Sequence, residues 1–107
     1  MAMVVSLPEV QVSVETASYC SRGVTYTGVL AGPGSIAVDP RYIPLGSMIF
    51  VPGYGTGVAD DTGSAVKGWH VDLWLPTCAA STQWGVRTET ITVWAARLGP
   101  KALSARD

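Results

Sequence analysis

The chain has 107 residues, of which 48% are hydrophobic and 14% are charged, and its formal net charge is -1 at pH 7. A chain of this length and composition forms one domain with its own core and does not remain a solvated disordered segment. The absence of a Lys/Arg run argues against nucleic acid as a partner, and no stretch approaches the roughly 18 apolar residues of a membrane-spanning helix.

Short strands joined by tight turns are predicted in the first part of the chain. Hydrophobic residues alternate at Val10, Val12 and Val14, which predicts a strand with one buried face. Segments 47–51 and 57–61 flank a Pro/Gly cluster, Pro52-Gly53-Tyr54-Gly55. Because such a cluster favours a tight chain reversal, these two segments are predicted to form a hairpin.

Two more strands and one short helix are predicted in the second part. Segments 71–75 and 88–94 are rich in strand-forming residues. Between them a helix is predicted over 79–84, with Thr77 as its N-cap and Gly85 directly after its end. Several short strands, Gly/Pro-rich turns and one short helix indicate a barrel or a sandwich, and of the two we predict a small β-barrel.

The two ends of the chain carry weaker signals. Residues 1–8 have no positive charge and too short an apolar run for a secretory signal, so we expect any export signal to lie outside this sequence. Residues after Trp94 show no strong period, which favours a frayed or weakly helical end. We therefore predict a single domain over 1–107, with its core at about residues 10–96 and a tail at 97–107.

The two cysteines, Cys20 and Cys78, leave two arrangements open. They are too few for a disulfide-rich scaffold, but they can form one bridge in an oxidising compartment. Two unpaired thiols, each acting as a small hydrophobic side chain, agree equally well with the sequence.

The aspartates are the first candidates for chemistry. Four of the five lie between positions 39 and 72, and Asp39, Asp61 and Asp72 lie in segments with apolar residues, Gly or Pro rather than in a charged surface patch. A carboxyl group near core strands is desolvated, which raises its pKa and lets it act as an acid near neutral pH. The structural alternative for Asp39 and Asp61 is that they cap turns by accepting backbone N–H bonds.

Alternation over residues 70–75 divides this segment into two faces. The apolar set is Val71, Leu73 and Leu75. If that set faces the core, Asp72 shares the other face with His70 and Trp74, and a carboxylic acid beside a flat aromatic ring suits a sugar. In the structural alternative, Trp74 fills a gap in the core and His70 is a surface residue.

Three other features suggest weaker hypotheses. Lys67 lies in a loop between two aspartate-bearing segments, where it either orients a carboxylate, binds a substrate carboxylate or only adds solubility. Asp61-Thr62-Gly63 matches the aspartic protease signature, but a three-residue match is weak. No His-x3-His or Cys-x2-Cys spacing supports a metal site, so no metal is predicted.

Several segments, in their order and spacing, resemble the 3D domain, a family named for three aspartates. These segments are Thr25-Tyr26-Thr27-Gly28, 34–46, 52–55, 59–68, Val71-Asp72-Leu73 and Trp84-Gly85. The resemblance runs from about residue 14 to residue 94. It implies a mainly β fold, a six-stranded double-psi β-barrel with one or two short helices, akin to the catalytic domain of membrane-anchored murein lytic transglycosylases and, more remotely, to expansins.

The resemblance also implies roles for individual residues. Asp72 matches the family's catalytic acid, Asp61 and Asp39 match its supporting aspartates, and Asp60 falls at a variable position. The predicted substrate-binding residues are Lys67, Tyr26, Thr27 and Trp74. Relatives often carry Thr where this chain has Ala17, so the hydroxyl of that Thr is missing here.

The function implied is cleavage of the β-1,4 bond between N-acetylmuramic acid and N-acetylglucosamine, with a 1,6-anhydro product and no cofactor. Asp72 would act first as acid and then as base. The implied partner is the glycan strand of peptidoglycan, and the implied location is secreted or cell-wall associated. The alternatives are a non-catalytic, expansin-like peptidoglycan-binding module and, with less support, an aspartic protease.

Overall fold

The computed structural model describes residues 9–95, which form a closed six-stranded barrel with one short helix. The elements are β1 (Glu9–Tyr19), β2 (Ser35–Ala37), β3 (Met48–Val51), β4 (Gly55–Asp61), β5 (His70–Trp74), α1 (Cys78–Trp84) and β6 (Arg87–Trp94). The predicted mainly β barrel is confirmed. The tail predicted at 97–107 lies outside the described residues.

The strands follow one another around the barrel in the order β1-β5-β2-β4-β3-β6. Two neighbouring pairs are parallel, β1 with β5 and β2 with β4, and the other pairs are antiparallel. Parallel pairing brings together segments that are far apart in sequence, because parallel strands need long crossover connections. The residues that face each other across β1 and β5 are therefore not sequence neighbours.

Local signals specify the hairpin and the helix as predicted. β3 and β4 pair antiparallel around the Pro/Gly cluster, where Gly53 and Gly55 adopt φ values of 82° and 114°. These left-handed values are open to glycine at little cost. In α1 the Thr77 side chain accepts a hydrogen bond from the Ala80 N–H group, and Gly85 ends the helix with a φ of 66°.

The barrel interior is filled by inward-facing aliphatic side chains from every strand. The fully buried ones include Ile36, Ile49, Val51, Val71, Leu73 and Ile91. On β5 the inward direction of Val71 and Leu73 leaves Asp72 on the outer face, as alternation requires. The core thus determines which face of β5 the aspartate occupies.

The sequence did not predict β2. It has only three residues, all buried, so it is too short to show an alternating pattern. β2 is held by pairing with β5 on one side and β4 on the other. This central position makes it the strand around which the aspartates gather.

Candidate active site

Three neighbouring strands bring the predicted aspartates to one region of the barrel surface. Ala37, the last residue of β2, pairs with Asp72 of β5 on one side and with Asp61 of β4 on the other. Since paired residues project to the same face and strands are about 4.8 Å apart, the Cα atoms of Asp72 and Asp61 are roughly 10 Å apart. Asp39 lies just beyond the end of β2, two residues after Ala37.

Asp72 has alanine as its neighbour on both adjacent strands. It pairs with Ala17 of β1 and with Ala37 of β2. Neither neighbour has side-chain atoms beyond Cβ, so neither covers the carboxyl group. Position 17 is thus the place beside Asp72 where the resemblance implies a Thr hydroxyl, and this chain has alanine there.

The hydrogen bond to the Asp72 side chain comes instead from its own strand. Asp72 Oδ1 lies 2.7 Å from His70 Nε2, and His70 Nδ1 lies 3.1 Å from Glu15 Oε1 on β1. The Asp72 side chain is 24% exposed. Within residues 9–95, no protein hydrogen bond reaches Asp72 Oδ2. Of its two oxygens, Oδ2 is therefore the one open to a ligand.

Asp39 is a buried, fully bonded carboxylate. Both of its oxygens accept hydrogen bonds from the Arg41 guanidinium, at 3.1 and 2.8 Å, and Oδ2 also accepts one from the Gly68 N–H group at 2.8 Å. These bonds, led by those from Arg41, hold the pKa of Asp39 well below its usual range. Asp39 is thus an anion at neutral pH that ties the end of β2 to the segment before β5, and its bond from the Gly68 N–H group is of the kind that its turn-capping alternative describes.

We expect Asp39→Asn to destabilise the fold in a pH-dependent way. Because the pKa of Asp39 is lower in the folded state than in the unfolded chain, its carboxylate stabilises the fold above about pH 4, and this stabilisation is lost as the pH falls further. Urea unfolding at pH 7, pH 4 and pH 2.5 should show a difference between wild type and variant that is largest at pH 7 and shrinks below pH 4. A difference of equal size at pH 7 and pH 2.5 would contradict this role.

Asp61 positions the loop that follows β1. Its Oδ1 atom accepts hydrogen bonds from the backbone N–H groups of Tyr26, at 3.0 Å, and Thr62, at 2.9 Å. Its Oδ2 atom accepts a hydrogen bond from the Tyr19 hydroxyl at 3.3 Å. Burial, with the nearby charge of Asp61, raises the pKa of Tyr19, so its hydroxyl stays a neutral donor. Asp61 therefore acts as an acceptor that holds Tyr26 beside the site.

Asp60, which precedes Asp61 on β4, is not among the paired residues Asp72, Ala37 and Asp61. Its Oδ2 atom accepts a hydrogen bond from Ser35 at 2.9 Å, and its buried Oδ1 atom has no hydrogen-bond partner within residues 9–95. Burial raises the pKa of Asp60. The structure gives this carboxyl group surroundings different from those of the other three aspartates.

A cleft of about 670 Å³ is lined by Asp39 and by Thr62, the residue after Asp61, but not by Asp61 or Asp72 themselves. Among the predicted substrate-binding residues, Lys67 and Tyr26 line it, together with Asp39 and Arg41. Arg41 was not predicted as a site residue. Its positive charge is paired with Asp39, whereas Lys67 makes no ion pair within residues 9–95. The cleft therefore has one unpaired cation on its rim.

The structure does not bring Trp74 into this cleft. Trp74 is buried, its indole N–H donates to the Ser21 carbonyl at 2.9 Å, and its ring lines a separate cleft with Tyr54 and Trp84. Its contacts are with Ser21 and Arg22 of the loop after β1, and it is not part of the hydrophobic cluster that fills the barrel. Trp74 is thus buried, as its structural alternative expected, but it does not fill the barrel core. Thr27 is exposed and lies in the loop that carries Tyr26.

Of the two residues that form the hydrogen-bond chain to Asp72, the sequence indicated the position of His70 but not that of Glu15. His70 was placed on the face of Asp72 by the i, i+2 spacing, although it was not included among the site residues. Glu15 gave no signal in the sequence, because its contact with His70 depends on the parallel pairing of β1 with β5.

Within the described part of the chain, no group of three or more His, Cys, Asp or Glu residues is arranged to hold a metal ion. Over the same range, no helix is long and apolar enough to cross a membrane.

These observations define a class of domain, a closed six-stranded barrel in which Asp72 on β5 and Asp61 on β4 flank β2, while Asp39 lies just after β2. The family model described as the 3D domain matches residues 34–97. Because the match covers more than half of the sequence, the chain belongs to the 3D domain family, and the resemblance found from the sequence is confirmed.

Two bacterial relatives are similar in sequence. The chain is 45% identical over 75 residues to the cell wall-binding protein YocH of Bacillus subtilis (strain 168), covering 66% of this chain and 26% of YocH. It is 46% identical over 80 residues to the putative cell wall shaping protein YabE of the same organism, covering 71% of this chain and 19% of YabE. The chain thus spans about a quarter or less of the length of these relatives.

The fold is also similar to that of a solved structure, MltA from E. coli with bound chitohexaose. The TM-score is 0.55 at 23% identity, and the match covers 68% of this chain and 27% of MltA. MltA from E. coli in a second crystal structure gives the same TM-score, 0.55. At this identity the likeness shows the barrel fold alone.

Proposed function

We propose that this domain binds the glycan strands of peptidoglycan and cleaves the β-1,4 bond between N-acetylmuramic acid and N-acetylglucosamine. The observation that carries this proposal is the difference among the three aspartates. Both carboxylate oxygens of Asp39 accept hydrogen bonds from Arg41, and both oxygens of Asp61 accept hydrogen bonds as well. Within the part of the chain that the structure describes, only Oδ1 of Asp72 is hydrogen-bonded, so its Oδ2 atom is open to a ligand. The names of the relatives and the glycan-bound MltA structure support a glycan substrate and a cell-wall location.

One carboxyl group is sufficient for this reaction. Asp72, protonated, donates its proton to the glycosidic oxygen as positive charge develops at C1 of the muramic acid ring. The resulting carboxylate then takes the proton of the C6 hydroxyl, whose oxygen bonds to C1. The product is the 1,6-anhydro sugar, Asp72 ends protonated as it began, and no water or cofactor is consumed.

The test is the chemical identity of the product. Purified peptidoglycan is incubated with the domain, and the soluble muropeptides are analysed by mass spectrometry. Products with 1,6-anhydro ends support the proposal. Products with reducing muramic acid ends would show hydrolysis instead and would exclude this mechanism.

Glycan binding without cleavage is the second candidate function. It is favoured by the relative named as a cell wall-binding protein. Sedimentation of the domain with insoluble peptidoglycan, without release of any soluble muropeptide, would support this function over cleavage. The aspartic protease alternative is not proposed, because the contacts of Asp61 assign it to holding the Tyr26 loop.

We expect Lys67→Gln to weaken binding to peptidoglycan. Lys67 supplies the unpaired positive charge on the cleft, and peptidoglycan carries carboxylates on its lactyl and peptide groups. An exposed ion pair contributes up to about 1 kcal/mol, so we expect a loss of affinity of up to about fivefold, with little change for a neutral chitin oligosaccharide. Sedimentation at low and high salt measures the effect, and Arg22→Gln, beside Trp74, is the charge-matched control. Equal losses for the charged and the neutral glycan would contradict this role for Lys67.

A further inference from the structure

His70 lies between two carboxyl groups on the outer face of the barrel. Its Nε2 atom is 2.7 Å from Asp72 Oδ1 and its Nδ1 atom is 3.1 Å from Glu15 Oε1. The imidazole is only 17% exposed, whereas the Glu15 side chain is 60% exposed. The three side chains thus form a chain of hydrogen bonds that runs from solvent to Asp72.

Two separate features of the barrel create this chain. His70 and Asp72 are two residues apart on β5 and so project to the same face. Glu15 is the register partner of His70 on the parallel neighbour β1. The uncharged residues Ala37 and Thr88 occupy the flanking register positions, beside Asp72 and Glu15 respectively. No competing charge is therefore placed next to the imidazole by these pairings.

The hydrogen-bonded chain of Glu15, His70 and Asp72, called the clamp below, restricts the orientation of the Asp72 carboxyl group. A ring nitrogen that holds Oδ1 stops the Asp72 side chain from rotating, so the same oxygen, Oδ2, stays open. The ring itself would turn freely about its side-chain bonds unless its second nitrogen were also bound, and Glu15 binds it. Proton transfer depends on such placement, because an error of about 1 Å at a reacting group can cost a hundredfold in rate.

We propose that His70 is a positioning residue for Asp72, which it holds through Oδ1 so that Oδ2 faces the glycan, and that Glu15 orients the imidazole. This inference rests on the proposed cleavage of glycan by Asp72. His70 does not touch the substrate in this arrangement, and it acts only through Asp72.

A kinetic comparison of two substitutions at His70 tests the role. His70→Leu removes the hydrogen bond, and we expect kcat for muropeptide release to fall about tenfold to a hundredfold with little change in KM. The side-chain amide of His70→Gln can donate to Asp72 Oδ1 in place of Nε2, so we expect kcat within about threefold of the wild type. Equal losses in both variants, or no loss in His70→Leu, would overturn the proposal. Thermal unfolding of both variants identifies any loss that reflects folding alone.

Nuclear magnetic resonance provides a readout that does not depend on activity. His70 is the only histidine of the chain, so its imidazole ¹⁵N resonances are assigned without ambiguity. At pH 6.5 we expect Asp72→Asn and Glu15→Gln each to shift the imidazole ¹⁵N resonances, while Asp60→Asn leaves them unchanged. Resonances that do not respond to Asp72→Asn and Glu15→Gln would overturn the clamp alone. A wild-type protein that releases no muropeptide would contradict the proposed function and the kinetic role of His70 together, whatever the resonances show.

Discussion

Asp72→Asn is expected to reduce release of 1,6-anhydro muropeptides by about 10²- to 10⁴-fold, the usual contribution of a general acid and base. Asparagine has the shape of aspartate and can still bond to His70 through its side-chain oxygen, so the barrel and the contact on β5 should persist. The amide, however, can neither donate a proton to the glycosidic oxygen nor accept one from the C6 hydroxyl. The measurement is the initial rate of muropeptide release from purified peptidoglycan, with products separated and identified by mass spectrometry.

Asp60→Asn is the matched control for this prediction. Asp60 is also a partly buried aspartate of the same barrel, but it accepts a hydrogen bond from Ser35 and is not a register partner of Ala37. Asparagine has the shape of aspartate, and its side-chain oxygen can still accept the hydrogen bond from Ser35. We expect this variant to keep its activity and to bind peptidoglycan as the wild type does. Equal rates in Asp72→Asn and wild type would refute the proposed mechanism.

Loss of the disulfide is expected to have the largest effect on stability. Cys20, directly after β1, and Cys78, the first residue of α1, are bonded to each other across a sequence separation of 58 residues. The sequence left this pairing open, and the structure resolves it in favour of the bridge. Closing a loop of that length restricts the unfolded chain, which corresponds to about 4 kcal/mol in the free energy of unfolding.

The double variant Cys20→Ser with Cys78→Ser tests this value. Urea unfolding of the oxidised wild type and of the variant should differ by about 4 kcal/mol. Adding a reducing agent should lower the stability of the wild type to that of the variant and should leave the variant unchanged. Equal stabilities of oxidised wild type and variant would show that the bridge does not stabilise this fold.

The bridge also bears on the proposed site. It fixes the start of the loop that carries Tyr26, and Asp61 holds the same loop through the Tyr26 N–H group. A reduced protein is therefore expected to lose order around Tyr26 before the barrel itself unfolds.

Local chemistry made the hairpin and the helix predictable. The turn at Gly53 and Gly55 needs backbone angles that glycine adopts easily, and Thr77 and Gly85 cap α1 with contacts inside a few residues. These signals do not depend on the rest of the chain. β2 differs, because its three residues become a strand only through pairing on both sides with β5 and β4.

The site was predictable in part. The resemblance to the 3D domain selected Asp39, Asp61 and Asp72, which the barrel does gather around β2, while alternation on β5 put His70 on the face of Asp72. The burial of Trp74 was not predictable from alternation, since it depends on the loop after β1, where the Ser21 carbonyl accepts the indole N–H bond and Arg22 lies over the ring.

By itself, the amino-acid sequence determined a small β-barrel with its local turns and caps, because short-range patterns carry that information, and its resemblance to the 3D domain identified the family and the three aspartates. Only the tertiary structure decided that Arg41 neutralises Asp39, that Cys20 bonds to Cys78, and that Glu15 and His70 form a clamp on Asp72. The last two depend on long-range placement: the disulfide joins residues 58 apart, and the clamp joins strands β1 and β5. Arg41 is near Asp39 in the chain, but the burial that makes their pairing important comes from the folded barrel.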